Sequence, residues 1–458
     1  MHKKLFVGGS MVALLGLVAA GAAAVGQVQP KAVAGVDPDR LVPAVNQQPA
    51  ANWKALPAGG PAVQLAWGNM RVNSDATNEP QNEPFVAVDP HNPKHLVVGA
   101  NNWQAGNGSF QVTAYTSFDA GKSWTTSNPY IAPNASRLNA ADATVAFGRD
   151  GAVYFAFVAF NPAAGAVAVS RSTDGGLTWA GQNWASSFTS EAADKPALVA
   201  GNGSLNLFYQ GAGLYTRTSL DNGATWSAST LLDAAGRNAA PVVDAQGAVS
   251  VFYVAGNTIK LARNLDLNSG NFRTSTVATT TPLQPRATQY RAGIYPVAGI
   301  APNGTMYVAW ADGRNAGHGN DIMFTRSLPL GSSDGKQAWQ APVAVNTDSG
   351  NADQLMPALT VAADGAVTVS WLDNRNDAAN VNYDIYATQA ADGKHFGPNV
   401  RVTTQSSNPA NDPRLQGTMI GDYIGLAAGV NGVYAVWTDT RNNNEDIFAA
   451  PLANTDLR

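Results

Sequence analysis

Cysteine is absent from this chain of 458 residues, which removes disulfides, thiolate metal sites and thiol nucleophiles and leaves packing to stabilise the fold. Charge is scarce as well: Asp, Glu, Lys and Arg make up 13%, about half the usual share. With 28 Lys and Arg against 32 Asp and Glu the net charge is −4, and no basic run breaks the chain, so the footprint of a nucleic-acid binder is missing. The five histidines (His2, His91, His95, His318 and His395) are scattered, with no zinc-ligand spacing. A Walker loop and a dinucleotide fingerprint are lacking, which excludes the commonest phosphate and nicotinamide chemistries.

What the chain has is 45 Gly, 26 Pro and a 45% hydrophobic fraction, the composition of many short strands joined by tight turns. Lys3 and Lys4 precede an almost wholly apolar stretch at 5–25 that contains the small-residue run Ala22, Ala23, Ala24. This reads as a secretory signal peptide over 1–26, with an uncleaved anchor as the alternative. Residues 27–62, rich in Ala, Pro, Val and Gln and without periodicity, read as a linker. The expected mature protein is soluble, secreted or periplasmic, monomeric and free of a membrane span.

Repeats carry most of the information. The octamers at 117–124, 172–179 and 219–226 each read S-x-D-x-G-x-[ST]-W, about 50 residues apart, and each follows an apolar alternating run. Partial copies keep Asp266, Asp334 with Trp339, and Asp392 with Phe396. Asp accepts backbone N–H groups across a bend, Gly admits positive φ, and the aromatic packs where the next strand begins, so these residues are turn formers first. The octamer resembles the Asp-box, and the chain resembles the sialidase-like Asp-box (BNR repeat) β-propellers. That resemblance implies an all-β ring and leaves the activity open, since such rings host glycosidases and binding proteins alike.

A second repeat occupies the C-terminal half. Trp310, Asp312 and Arg314 precede Asp321; Trp371, Asp373 and Arg375 precede Asp384; Trp437, Asp439 and Arg441 precede Asp446. In each case the Asp–Arg–Asp set reads as an ion pair bracing a loop, with display of the charges to a polyhydroxylated ligand as the alternative. Together the two repeats mark unit starts near Pro84, Asp142, Lys195, Ala240, Ile294, Pro357 and Tyr423, which gives a propeller of about seven four-stranded blades over 63–458. The final unit is one strand short. The segment at 67–73 resembles the outer strands at 339–346 and 397–403, so residues 63–74 are expected to complete the last blade and close the ring.

Residues entering each blade's first strand should line the channel mouth: Glu83, Asp142, Glu191, Asp194, Lys195, Arg237, Arg291, Tyr295, Gln354, Asp422 and Tyr423. Resemblance to the sialidases implies three arginines that hold a substrate carboxylate, an Asp acid/base, and a Tyr nucleophile assisted by a Glu. Matching the family's chain order implies Asp142, Glu191 and Tyr423 as catalytic residues and Arg71, Arg237 and Arg291 as substrate-binding residues. The family's F/Y-R-I-P motif is absent, Arg71 standing in Asn69-Met70-Arg71-Val72. The functional expectation is an exo-α-sialidase-like glycoside hydrolase or glycan-recognising propeller. The alternatives are a noncatalytic propeller that binds protein or polysaccharide through its loop face, and a different glycosidase or lyase working through paired carboxylates. No cofactor is implied, although the Asp/Asn-rich loop at 374–377 offers oxygen ligands to Ca²⁺.

Overall fold

The computed structural model describes residues 63, 64 and 68–457, other than 76, 105–108, 131–138, 162–163, 188–192, 265–270, 289, 316, 329–336 and 431. The signal segment, the linker, Glu191, Asp266 and Asp334 lie outside the described residues. Seven sheets follow one another along the chain, each built on four antiparallel strands ordered from the channel outward, one of them with a fifth strand added in parallel. Their first strands are Gln81–Val88, Asn139–Phe147, Asp194–Ala200, Gly236–Val243, Val297–Ile300, Gln354–Val361 and Gly425–Ala428, and they open blades 1 to 7 of a β-propeller. Among the described residues the one α-helix is the terminal turn Asn454–Leu457.

The pattern of apolarity follows from the layering. A blade's inner strands are covered on both faces by neighbouring blades, so they read as continuous apolar runs rather than alternating ones. Val153–Phe160 is buried up to its last residue, and Met306–Asp312 and Val367–Asp373 throughout. Outer strands such as Arg273–Thr279 meet water on one side and are polar. The cores therefore lie between blades: Val86, Leu96 and Tyr115 of blade 1 pack with Val436, Ile447 and Ala449 of blade 7. Close approach needs small residues, and a Cβ on Gly99 would stand 2.8 Å from Phe155 in blade 2.

The Asp-box turns perform the chemistry expected of them. Ser172 Oγ accepts from the Gly176 amide at 2.8 Å and donates to Asp174 at 2.7 Å, while Asp174 accepts from the Thr178 amide at 2.9 Å. The turns at Asp119 and Asp221 repeat this geometry. Hydrogen bonds from Ser123, Thr178 and Thr225 bring all three carboxyl groups down to about 2.

Closure of the ring follows expectation. Met70–Arg71 is the outermost strand of blade 7, paired antiparallel with Asp446–Ala453. Residues 63–64 do something else: they run parallel to Val400–Arg401, the outer strand of blade 6, so the N-terminal segment spans two blades. In the second repeat the first Asp of each set pairs with the Arg, as expected. Asp312–Arg314, Asp373–Arg375 and Asp439–Arg441 each meet at 2.7 Å, and the Trp Nε1 donates to the same carboxylate. The last Asp does not join that pair, because an outer-strand side chain reaches it first. Asn346 donates to Asp321 at 2.7 Å, Thr403 to Asp384 at 2.6 Å and Asn73 to Asp446 at 2.9 Å.

Candidate active site at the channel mouth

One position recurs in every blade, two residues before the first strand makes its regular pairing. It is Glu83, Asp142, Lys195, Asn238, Tyr295, Met356 and Tyr423, preceding the paired residues Phe85, Thr144, Ala197, Ala240, Val297, Ala358 and Gly425. Five of the seven have positive φ, between 46° and 60°, where the pairing register shifts. Non-glycine residues seldom adopt this conformation, and a bulge of this kind re-aims the side chain it carries. Pro follows the position in four blades, at Pro84, Pro196, Pro296 and Pro357, which holds the chain extended as it enters the strand.

The bulges bring acids, bases and phenols from opposite sides of the ring together. Lys195 Nζ lies 2.5 Å from Asp422 Oδ2 and 4.0 Å from Asp142 Oδ1. Arg291 Nη2 lies 2.8 Å from Asp422 and 3.3 Å from Glu83. The Tyr295 and Tyr423 rings face the Lys195 ammonium at 5.4 and 5.6 Å. Asn101 ties two of these residues to the blades, donating to Glu83 at 2.9 Å and accepting from the Asp142 amide at 2.9 Å, while Gln210 donates to Asp194 at 2.7 Å. Lys195, Tyr295 and Tyr423 roof a cavity of about 240 Å³ in the channel, walled by apolar residues including Phe85, Pro196, Leu359 and Leu426.

Crowded carboxyl groups cannot all ionise. Burial and the charge on Asp142 push Asp194 up to about 7. Burial would raise Asp142 too, but the Lys195 charge and hydrogen bonds from Asp194 and Glu83 outweigh it and bring this group down to about 2. Glu83, buried beside Asp142 and Asp422, is held well above the usual carboxylate range despite Lys195. Burial, with Glu83 and Asp142 nearby, likewise raises the Tyr423 phenol.

Of the residues singled out from the sequence, Asp142, Arg291 and Tyr423 meet at the mouth, together with Glu83, Asp194, Lys195, Tyr295 and Asp422. Arg71 is elsewhere, and Arg237, one residue before the blade 4 bulge, turns to the backbone. Arg71 pairs with Asp446 at 2.8 Å on the outer strand of blade 7, the place Arg401 takes on blade 6 with Asp384 at 2.7 Å. Arg237 donates to the backbone carbonyls of Gly236 and Ala212. Gln354 is engaged with Asn346, away from the mouth. Sequence reasoning passed over Asn101 and Gln210; the X-Pro steps at the strand entrances were the signal that fixes the mouth register. In the loop proposed for Ca²⁺, the Asp377 oxygens accept from the amides of Ala379, Val381 and Asn382, and Asn376 donates to Asp384. Among the described residues no group of three or more His, Asp or Glu is arranged to hold a metal ion.

Fold and site together define a seven-bladed Asp-box β-propeller with a polar, titratable mouth over an apolar channel. Residues 60–276 match the family model of the BNR repeat-like domain, in keeping with a sialidase-like BNR-repeat propeller. Among solved structures it is similar to a protein of unknown function from Dyadobacter fermentans DSM 18053, at 18% identity over 69% of this chain and 95% of that one, with a TM-score of 0.46. It is similar to a leech intramolecular trans-sialidase at 11% identity, over 76% of this chain and 71% of that one, TM-score 0.48. It also resembles a GH93 α-L-arabinofuranosidase of Fusarium graminearum at 12% identity, over 85% and 98%, TM-score 0.49. No curated protein matches.

Proposed function

We propose that the protein is an exported, monomeric glycoside hydrolase that cleaves an extracellular glycan at the channel mouth. One observation carries this reading: adjacent carboxyl groups whose environments drive them apart, Asp194 up to about 7 and Asp142 down to about 2. A protonated acid beside a charged carboxylate is what protonation of a glycosidic oxygen and stabilisation of an oxocarbenium-like transition state require. In this reading Asp194 donates the proton, Asp142 supplies the negative charge, and the half-buried Tyr295 and Tyr423 offer faces for a sugar ring to stack on. Tyr423, whose phenol stands near Glu83 and Asp142, is the nucleophile in this reading. The sialidase version of the mechanism rests on Arg291 alone among its three arginines.

The test is turnover of a panel of fluorogenic aryl glycosides, α-sialoside and α-L-arabinofuranoside included, by native protein, Asp194→Asn and Tyr423→Phe. Asp194→Asn should lower kcat/KM by about 10²–10⁴-fold on the active substrate. An inert native protein, or an Asp194→Asn variant of full activity, would overturn the reading. Tyr423→Phe decides the nucleophile. A noncatalytic binding propeller is the second reading, favoured by the burial of Glu83 and Asp422, both 1% exposed and both neutralised by cations. It predicts saturable glycan binding without product and indifference to Asp194→Asn.

A further inference from the structure

The two cations that converge at the mouth, Lys195 and Arg291, are already answered by carboxylates. Asp422, one residue before the blade 7 bulge and 1% exposed, takes both Lys195 and Arg291 on its Oδ2 atom at 2.5 and 2.8 Å. Lys195 has a second carboxylate in Asp142, and Arg291 a second in Glu83. Asn238 and Met356 complete the ring of bulge positions without adding charge. Of the other two arginines first considered as carboxylate holders, Arg71 pairs with Asp446 on an outermost strand, and Arg237, at the entrance of blade 4, spends its guanidinium on the backbone carbonyls of Gly236 and Ala212. A sugar carboxylate arriving here would therefore face Asp422 and Asp142 and would have to displace one of them to reach a cation, at the cost of leaving a buried anion unpaired. The hydroxyl groups of a neutral sugar raise no such conflict. They can donate to carboxylate oxygens, and the Oδ1 atom of Asp422 is buried without a hydrogen-bond partner.

We infer that Asp422 sets the substrate class: by occupying Lys195 and Arg291 it makes the mouth select an uncharged glycan over one bearing a carboxylate. The inference rests on the reading of the mouth as a glycan site. It makes a seemingly anion-seeking pair of cations into a rejecting element, in the sense that specificity comes from what the site leaves no room for.

Matched probes separate this inference from the hydrolase reading. Glucoside and glucuronide, and galactoside and galacturonide, each as the aryl glycoside, differ only in carrying CH₂OH or a carboxylate at C6. Binding of both members of each pair to the full chain is measured by saturation-transfer NMR and titration, with turnover recorded alongside, for native protein and Asp422→Asn. The native protein should bind a neutral member about tenfold or more tightly than its acidic partner. Asp422→Asn, which frees a positive charge, should narrow or reverse that preference. Binding of the neutral member without turnover would remove the hydrolase reading and leave the inference standing. Equal or tighter native binding of the acidic member, binding of neither, or an unchanged preference in a folded Asp422→Asn would overturn it. Should that variant fail to fold, Arg291→Gln must widen the native preference, and no change there overturns the inference as well.

Discussion

At the scale of single residues, Asp194 holds the most consequential proton. Its carboxyl sits near 7 in the native protein against about 3.9 for an unfolded chain. As proton donor it must be protonated, so kcat/KM on the active glycoside should hold steady over mildly acidic pH and fall as pH rises through about 7; a profile flat to pH 9 would contradict the assignment. Stability has the same sign. The native state keeps a proton that the unfolded chain releases, so the group's contribution is fully present below about 4 and is lost as pH climbs to 7. In thermal melts across that range, Asp194→Asn should therefore gain on the native protein as pH rises, while a constant gap would count against the shift. The Asp-box carboxylates run the other way, being held near 2, and lose their contribution only in strong acid. Ser172 is the buried partner in that turn, 1% exposed, and Ser172→Ala should cost about 1–3 kcal/mol in urea unfolding by stranding the Gly176 amide.

At the scale of elements, the outer strands of blades 5, 6 and 7 share one latch. Asn346, Thr403 and Asn73 each donate to the Asp that opens the third strand and accept from the amide one residue on, at Ile322, Ile385 and Ile447. Asn73 and Asn346 also donate to Gln81 and Gln354, the first residues of the next blade. Asn73→Ala leaves a buried carboxylate and a buried amide short of a partner. It should destabilise by about 2–4 kcal/mol and open blade 7 to protease, whereas Asn346→Ala should leave blade 7 protected. Equal protection of blade 7 in both variants would refute the latch. Much of this level was legible beforehand. The likeness of 67–73 to 339–346 is the likeness of one latch to another, and the Asp-box spacing gave the blades. What was hidden is the partner of each last Asp, because Asn and Thr at the latch obey no motif that stands out in so polar a chain.

At the scale of the whole molecule, legibility drops where the ring folds distant residues together. Asp142 and Tyr423 were assigned to the mouth because both lie at strand entrances, a local property of the chain. Arg71 and Arg237 rest on order alone, and order says neither how far along a blade a residue stands nor what its side chain meets: Arg71 is on an outermost strand, and Arg237, one residue before a bulge as Asp422 is, meets backbone carbonyls. The mouth's charge balance was out of reach for the same reason, since Lys195 meets Asp422 across 227 residues of sequence. A whole-molecule consequence can be measured. The Lys195–Asp422 contact is a strut between blades 3 and 7, so Lys195→Met should lower the melting temperature and loosen amide exchange in both blades, and a change confined to blade 3 would argue against the strut.

The strand that seals blade 7 precedes the first blade in the chain, and the three it joins follow the sixth. Six blades can therefore pair within themselves by neighbouring strands, while the seventh waits for two segments that meet across 373 residues of sequence. Fixing the circumference is thus a long-range event, and a cut in any loop between those segments would turn a self-locking circle into an open arc held at one seam.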